Sequence, residues 1–407
     1  MLVRVVDYIG NPGGGVRFAV EMLRALQELS EARFEVVSHG PALARFRALL
    51  QGEPRIRLTD IAPKEAWRSR TVLPGIPGSG PLNLLLGSGR FHLEVPASAL
   101  EECDLAWFPW IHRHRLPASY GARVVGSLHD VIAFDFPGVV PRRSADNERE
   151  TVRRWLRSDA SLVVSSEVTA GRLAALFGTA RERVSLVPLS GQHGRPAPTA
   201  APQSWTFLRK AYLLAPINVT LHKNHEVLLG AVGAWKARHP LVLSGSGSDL
   251  WKSRIPRSRA LAKLAEATGL CNGETVFGLG YVEDSDYYRL LDQAWALVMP
   301  TLAEGGGSFP VWEALLGGIP VICSDIPVMR EMVERVGGEV IWFDARDPAD
   351  LKARLDDLER DYPSIKARAL AQVAGLRVRG WREVAADYAR VMALPLRNGQ
   401  VSFGREQ

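Results

Sequence analysis

Short runs of apolar, largely β-branched residues alternate along the chain with stretches whose apolar residues recur at helical spacing. No other feature of the sequence limits the possible folds as tightly. In the N-terminal half Leu2–Ile9, Phe34–Ser38, Leu105–Trp110, Arg123–Leu128, Leu162–Ser165 and Val184–Pro188 read as strands, and Val16–Leu29, Arg143–Leu156 and Glu167–Phe177 read as helices. In the C-terminal half the strands are Ala211–Ala215, Leu241–Ser244, Thr275–Phe277, Ala296–Met299, Pro320–Cys323 and Val340–Phe343. The helices there are Asn224–Ala237, Arg259–Ala267, Asp286–Gln293, Pro310–Leu316 and Pro348–Leu358. Strands that are apolar on both faces and separated by helices imply parallel sheets with helices on both sides.

A chain of 407 residues exceeds what one hydrophobic core usually organises. The pattern breaks at Gly191–Ser204 (GQHGRPAPTAAPQS), which reads as a linker. This predicts an α/β protein of two doubly wound, Rossmann-like domains facing across a cleft. The expected bounds are 1–195 and 196–375, with a tail 376–407 whose helix, Val378–Met392, packs back on the first domain. Ligands of such sheets bind at the carboxyl ends of the strands. The net charge of +6 suits an anionic ligand, with no basic block that would indicate nucleic acid. Three well-separated cysteines give neither a disulfide framework nor a zinc motif. The uncharged stretch Thr71–Gly89 is interrupted by prolines and glycines, unlike a spanning helix. With no signal-peptide pattern at the N-terminus, a cytoplasmic location is expected.

Four constellations carry candidate chemistry. Gly13-Gly14-Gly15 stands between the first strand and its helix, where backbone N–H groups and the helix dipole favour a phosphate. A plain tight turn is the alternative. The run is not G-x-G-x-x-G, and Val36-Val37-Ser38-His39 lacks the acid of a dinucleotide site. Gly245–Asp249 is a weaker match to the same idea. Leu221-His222-Lys223-Asn224-His225 places a lysine where it can meet a diphosphate, with Asn224 as a possible helix cap. The two histidines alone make a poor metal site. Glu304-Gly305-Gly306-Gly307-Ser308-Phe309-Pro310-Val311-Trp312-Glu313 sets two carboxylates about a glycine run and a helix start. Carboxylates accept from sugar and ribose hydroxyls, and helix N–H groups take phosphate. A helix-dipole partner and a solvated loop acid are the bland readings of Glu313 and Glu304. His129-Asp130 ends a strand of the first domain, as a sugar contact or as a structural pair.

These residues, with Ser165–Thr169, Val187-Pro188, Gly278–Val282 and the block Pro300–Ser324, give a chain that resembles the retaining GT4 glycosyltransferases of the GT-B fold. The block containing Glu304, Phe309-Pro310-Val311, Glu313-Ala314, Gly318, Pro320-Val321 and Ser324 is the most specific part. The resemblance implies that a nucleotide-diphosphate sugar (UDP- or GDP-linked) donates its sugar to a glycan or lipid-linked acceptor with retention, without a metal or other cofactor. It assigns Glu304 to the donor sugar, Glu313 to the ribose, Lys223 to the diphosphate and His129 to the transferred sugar. The backbone at Tyr281 and Val282 would hold the base, and Gly306, Gly307, Ser308 and Phe309 the donor. Gly14 and Gly15 would close over the phosphates.

Two departures stand out. Eight residues separate the glutamates where seven are usual, and Ala215-Pro216-Ile217-Asn218 replaces a stretch that usually holds an arginine. Asn218, His222 or an arginine elsewhere in the chain would then assist Lys223. A non-catalytic nucleotide-sugar-binding subunit and another GT-B enzyme, such as a sugar-nucleotide epimerase, are the alternatives. Ala62–Leu93 reads as a long loop with Arg68, Arg70 and several leucines, and Trp107–Pro117 mixes aromatic with basic residues. Together they are the expected acceptor face, with peripheral membrane contact as a secondary expectation.

Overall fold

The computed structural model describes residues 1–10, 14–69, 89–136, 142–178, 183–189, 191 and 205–397. The chain forms two compact units, Met1–Ser190 with Arg379–Gln407 and Gly191–Val378. Most of the linker segment Gly191–Ser204 lies outside the described residues.

The strands of the first unit are β1 (Leu2–Val6), β2 (Arg33–Ser38), β3 (Ile56–Asp60), β4 (Lys64–Ser69), β5 (Gly89–Glu94), β6 (Leu105–Phe108), β7 (His114–Arg115), β8 (Arg123–Leu128), β9 (Ser161–Val164) and β10 (Val184–Leu186). Seven of them form one sheet in the order β10-β9-β8-β6-β1-β2-β3, and every pairing in it is parallel. Val3, Val5, Val36, Ala106 and Val163 are fully buried, which is why these strands read as unbroken apolar runs. Strand β1 stops short of the expected Ile9 because the Asp7 carboxylate turns back to accept from the N–H groups of Ile9 and Gly10.

The helix Trp381–Val391 packs on the helix Gly14–Leu29 of this unit. Its Tyr388 hydroxyl meets Ser127 Oγ at 2.9 Å, and Ser127 also accepts from the Trp107 indole at 3.1 Å.

Part of the expected long loop is ordered sheet. Strand β4 pairs antiparallel with β5 from Lys64↔Glu94 to Ser69↔Gly89, and β5 pairs parallel with β7. Lys64–Ser69 (KEAWRS) has neither a period-2 alternation nor a continuous apolar run, so its sequence carries no strand signal. Arg70, Leu73, Ile76, Leu82 and Leu84–Leu86 lie outside the described residues.

The second unit holds β11 (Leu213–Pro216), β12 (Leu241–Ser244), β13 (Val276–Gly278), β14 (Ala296–Met299), β15 (Val321–Ser324) and β16 (Ile341–Phe343). All pair in parallel, in the order β13-β12-β11-β14-β15-β16. Chain order therefore reverses between β11 and β14. A crevice outside the carboxyl ends of two such strands is the usual ligand position of an open α/β sheet. In the first unit the same reversal falls between β1 and β6. Among the described residues, no helix is long and apolar enough to cross a membrane.

Candidate functional site

The reversal point of the second unit is built from loops bonded to one another. After β11 the chain makes a short 3-10 turn, Leu221–Lys223, and then passes through Asn224 at φ 55° into the helix His225–Ala234. Asn224 is not the side-chain helix cap considered from the sequence. Its amide donates instead to the carbonyls of Pro300 (2.9 Å) and Ala345 (2.7 Å), tying this turn to the ends of β14 and β16. The His222 carbonyl accepts from Leu302 N–H at 2.7 Å and from the Thr301 hydroxyl at 3.1 Å. With the two loops so joined, the Lys223 ammonium forms an ion pair with the Glu304 carboxylate. The lysine and glutamate side chains are 19% and 11% exposed, so the pair is sheltered yet reachable from solvent.

The glycine run between the glutamates has a steric requirement. Gly307 has φ 111°, and a Cβ there would lie 2.6 Å from Met332 sulfur. The Ser308 N–H points at that same sulfur. The helix Phe309–Leu316 starts at this point with Pro310 in its first turn. Glu313 follows in the second turn, beyond the strongest dipole positions. It is buried, and both carboxylate oxygens accept phenol hydrogen bonds, from Tyr287 at 2.5 Å and Tyr288 at 2.7 Å. The plain dipole-partner reading of Glu313 therefore gives way to a buried, doubly hydrogen-bonded carboxylate.

The neighbouring loops extend the same edge. Asn218 accepts from Ser246 N–H at 2.7 Å, and Val219 N–H donates to Ser246 carbonyl at 2.8 Å. Gly245 N–H donates to Gly280 carbonyl at 2.7 Å, which joins this loop to the turn bearing Tyr281 and Val282. Tyr281 is 58% exposed. Asn218 is thus engaged as a latch between loops. His225 is a core residue, pushed down to about 3 by burial, with the Arg257 and Lys223 charges adding to the effect.

At the reversal point of the first unit, Gly14 and Gly15 open the helix after β1, and Gly13 lies outside the described residues. His129, at the end of β8, is buried, with Nε2 3.0 Å from the Pro109 carbonyl. A carbonyl only accepts, so Nε2 carries the proton and Nδ1 the lone pair. Burial pushes His129 down to about 4 and leaves the ring neutral near pH 7. Phe18 meets the ring edge-on at 4.8 Å and Trp110 lies 5.0 Å away. Asp130 is not its bonded partner; it accepts from Ile132 N–H and faces His112 Nε2 at 3.9 Å.

The expected aromatic–basic acceptor surface is in large part core. Trp107, Phe108, Ile111 and His114 are fully buried, since β6 carries the first two into the sheet and the 111–114 turn folds beneath it. Trp110 and Arg115 are half-buried and Arg113 is exposed.

Glu148 escaped the sequence reading because it sits in a helix crowded with charge, Arg142–Arg157. Burial raises its carboxyl, against the His112 charge, and Asp130 raises it further. Tyr287 and Tyr288 also escaped, because nothing in their spacing marks them as partners of Glu313.

Residues 201–374 match the family model for glycosyl transferases group 1. The O-antigen chain mannosyltransferase B of Escherichia coli is 28% identical over 261 residues, covering 61% of this chain and 65% of that protein. Among solved structures, HepE of Anabaena in complex with UDP and glucose superposes with a TM-score of 0.67 at 16% identity, over 97% of this chain and 99% of the other. The fold is GT-B. WaaG, a glycosyltransferase involved in lipopolysaccharide biosynthesis, gives 0.64 at 14% identity over 96% and 99%. Sucrose-phosphate synthase from Thermosynechococcus elongatus gives 0.63 at 15% over 97% and 98%.

Proposed function

We propose that this protein is a retaining glycosyltransferase that moves a sugar from a UDP- or GDP-linked donor to a glycan or lipid-linked acceptor, without a metal ion. The observation that carries the reading is the Lys223–Glu304 pair at the β11/β14 reversal point, beside the loop and helix that bear Glu313. The match over 201–374 to glycosyl transferases group 1 and the mannosyltransferase relative support it.

Lys223 is a point charge suited to a diphosphate, and the amino end of the helix Phe309–Leu316 directs its dipole to the same loop. When the donor enters, the ammonium transfers its pairing from Glu304 to the phosphates. The carboxylate of Glu304 then accepts from donor-sugar hydroxyls, and Glu313 accepts from the ribose. The bond from the anomeric carbon to the phosphate oxygen breaks as the acceptor oxygen attacks from the same face. The acceptor's proton passes to the departing phosphate. Charge that develops on the leaving diphosphate is met by Lys223 and the helix dipole, the largest catalytic contribution expected. His129, neutral, takes a hydroxyl hydrogen bond through Nδ1 rather than acting as an acid.

The test is donor turnover in EDTA with UDP- and GDP-hexoses. Slow donor hydrolysis, or transfer to a supplied glycan, supports the reading. A strict requirement for Mg²⁺ or Mn²⁺ contradicts its metal-independent part. Asn218 in place of the usual arginine favours a second reading, a non-catalytic donor-binding subunit. That protein would bind nucleoside diphosphates and hydrolyse no donor.

A further inference from the structure

Glu313 is 3% exposed in the middle of a packed unit. Removing a carboxylate from water is costly, and a buried charge is often replaceable by apolar side chains without loss of stability. The surroundings are built for this charge. The helix Asp284–Asp292 brings Tyr287 and Tyr288 to it. Consecutive helical residues diverge by about 100° around the axis, yet both phenols converge on one carboxylate. Tyr287 donates to Oε2 at 2.5 Å and Tyr288 to Oε1 at 2.7 Å, with their ring centroids 5.2 Å apart. Tyr287 and Tyr288 are themselves 9% and 4% exposed, so neither ring can swing away without vacating packed space.

Two donors on the two oxygens fix the carboxylate plane as well as its position. A single donor would leave it free to rotate. This matters for a ligand with two adjacent hydroxyls, because a vicinal diol meets a carboxylate in one relative orientation. The helix that supplies the tyrosines follows the Tyr281–Val282 turn, and the helix that supplies Glu313 follows the Glu304 loop. The carboxylate therefore bridges the segment proposed for the base and the segment proposed for the sugar and phosphates, where a ribose belongs.

We propose that Tyr287 and Tyr288 are positioning residues that orient Glu313 toward the ribose cis-diol of a nucleoside diphosphate, making the site selective for ribonucleotides over 2′-deoxyribonucleotides. This rests on the donor reading above.

The experiment is calorimetric affinity of the full chain for UDP, GDP and their 2′-deoxy counterparts. It is run on the wild type, Tyr287→Phe, Tyr288→Phe and Glu313→Gln, with thermal midpoints in parallel. The wild type is expected to prefer the ribonucleotide about tenfold or more, the size of one good hydrogen bond to a charged group. Each Tyr→Phe change should cut ribonucleotide affinity about three- to tenfold, on the same basis, and leave 2′-deoxynucleotide affinity nearly unchanged. A merely structural role would weaken both nucleotides alike, and that result overturns the proposal. So does a wild type that binds both forms equally, which leaves the donor reading intact. A wild type that binds no nucleoside diphosphate removes the donor reading and the proposal together. Should one variant fail to fold, the other single variant carries the test.

Discussion

The two units have sheets of one design, parallel and reversing order beside the first strand, but the chemistry at the two reversal points is opposite. In the second unit the β11/β14 edge pairs Lys223 with Glu304 within partial reach of solvent, and behind it the buried Glu313 carboxylate is held by Tyr287 and Tyr288. In the first unit the β1/β6 edge holds neutral imidazoles. His129 is pushed down to about 4 by burial, and His114 is likewise lowered by burial, with its Nε2 accepting from Tyr8 N–H. Aromatic rings surround His129: Phe18 and Trp110 meet it, and Trp107 and Tyr388 pack against Phe18. One topology thus presents two reversal points of opposite electrostatic character, and the loops decide which. A charged edge suits a diphosphate, and a neutral, aromatic one suits a sugar.

The largest expected effect separates the two edges directly. Lys223→Ala should lower turnover by about 10²–10³, comparable to removing one preorganised donor from a developing anion. It should weaken bare nucleoside diphosphate as well. His129→Phe should leave bare nucleotide affinity unchanged and reduce turnover by roughly tenfold, the loss of one hydroxyl contact. Equal losses of nucleotide affinity in the two variants would erase the distinction between the edges. Glu304→Gln sharpens it within the charged edge. Turnover should fall further than affinity for UDP or GDP, which carry no sugar for Glu304 to contact.

The buried histidines predict a pH dependence of stability. His129 and His225 titrate in the folded state at about 4 and about 3, below the unfolded value of 6.5. Between those values the unfolded chain binds more protons, so acid favours unfolding. Their contribution should be fully present above pH 6.5 and lost progressively as pH falls toward 4 and then 3. Urea midpoints across pH 3–8 check this, and a flat profile between 6.5 and 4 would mean that the imidazoles are not buried neutral. The smallest effect belongs to the closing helix. Tyr388→Phe should cost the first unit about 1 kcal/mol through the bond to Ser127, read from the same urea curves.

Much of the fold was legible because its strands are buried on both faces and its helices are amphipathic. Runs such as Leu241–Ser244 and Ala296–Met299 match the structure residue for residue. Strands β3 to β5 were missed, since β3 and β4 at sheet edges and β5 in the small three-stranded sheet all mix charges with apolar residues and give no continuous run. The Trp107–Pro117 stretch was read as surface from its composition, although β6 is buried on both faces and takes Trp107 and Phe108 into the core on opposite sides. In the second unit Lys223, Glu304 and Glu313 were singled out from local pattern, a charge beside a turn or glycine run at a strand end. What pattern does not carry is pairing over long separations. Lys223 with Glu304, Asn224 with Ala345 and Tyr287 with Glu313 exist only once the strands have stacked.

We infer above all that the charged edge of the second unit binds a nucleoside diphosphate through Lys223 without a metal. Calorimetric titration of UDP and GDP in EDTA tests it most directly. The expected result is saturable one-to-one binding of at least one of them by the wild type, unchanged when Mg²⁺ is added, and binding weakened by about tenfold or more in Lys223→Ala. Binding that appears only with Mg²⁺, or that survives Lys223→Ala at full strength, would contradict it.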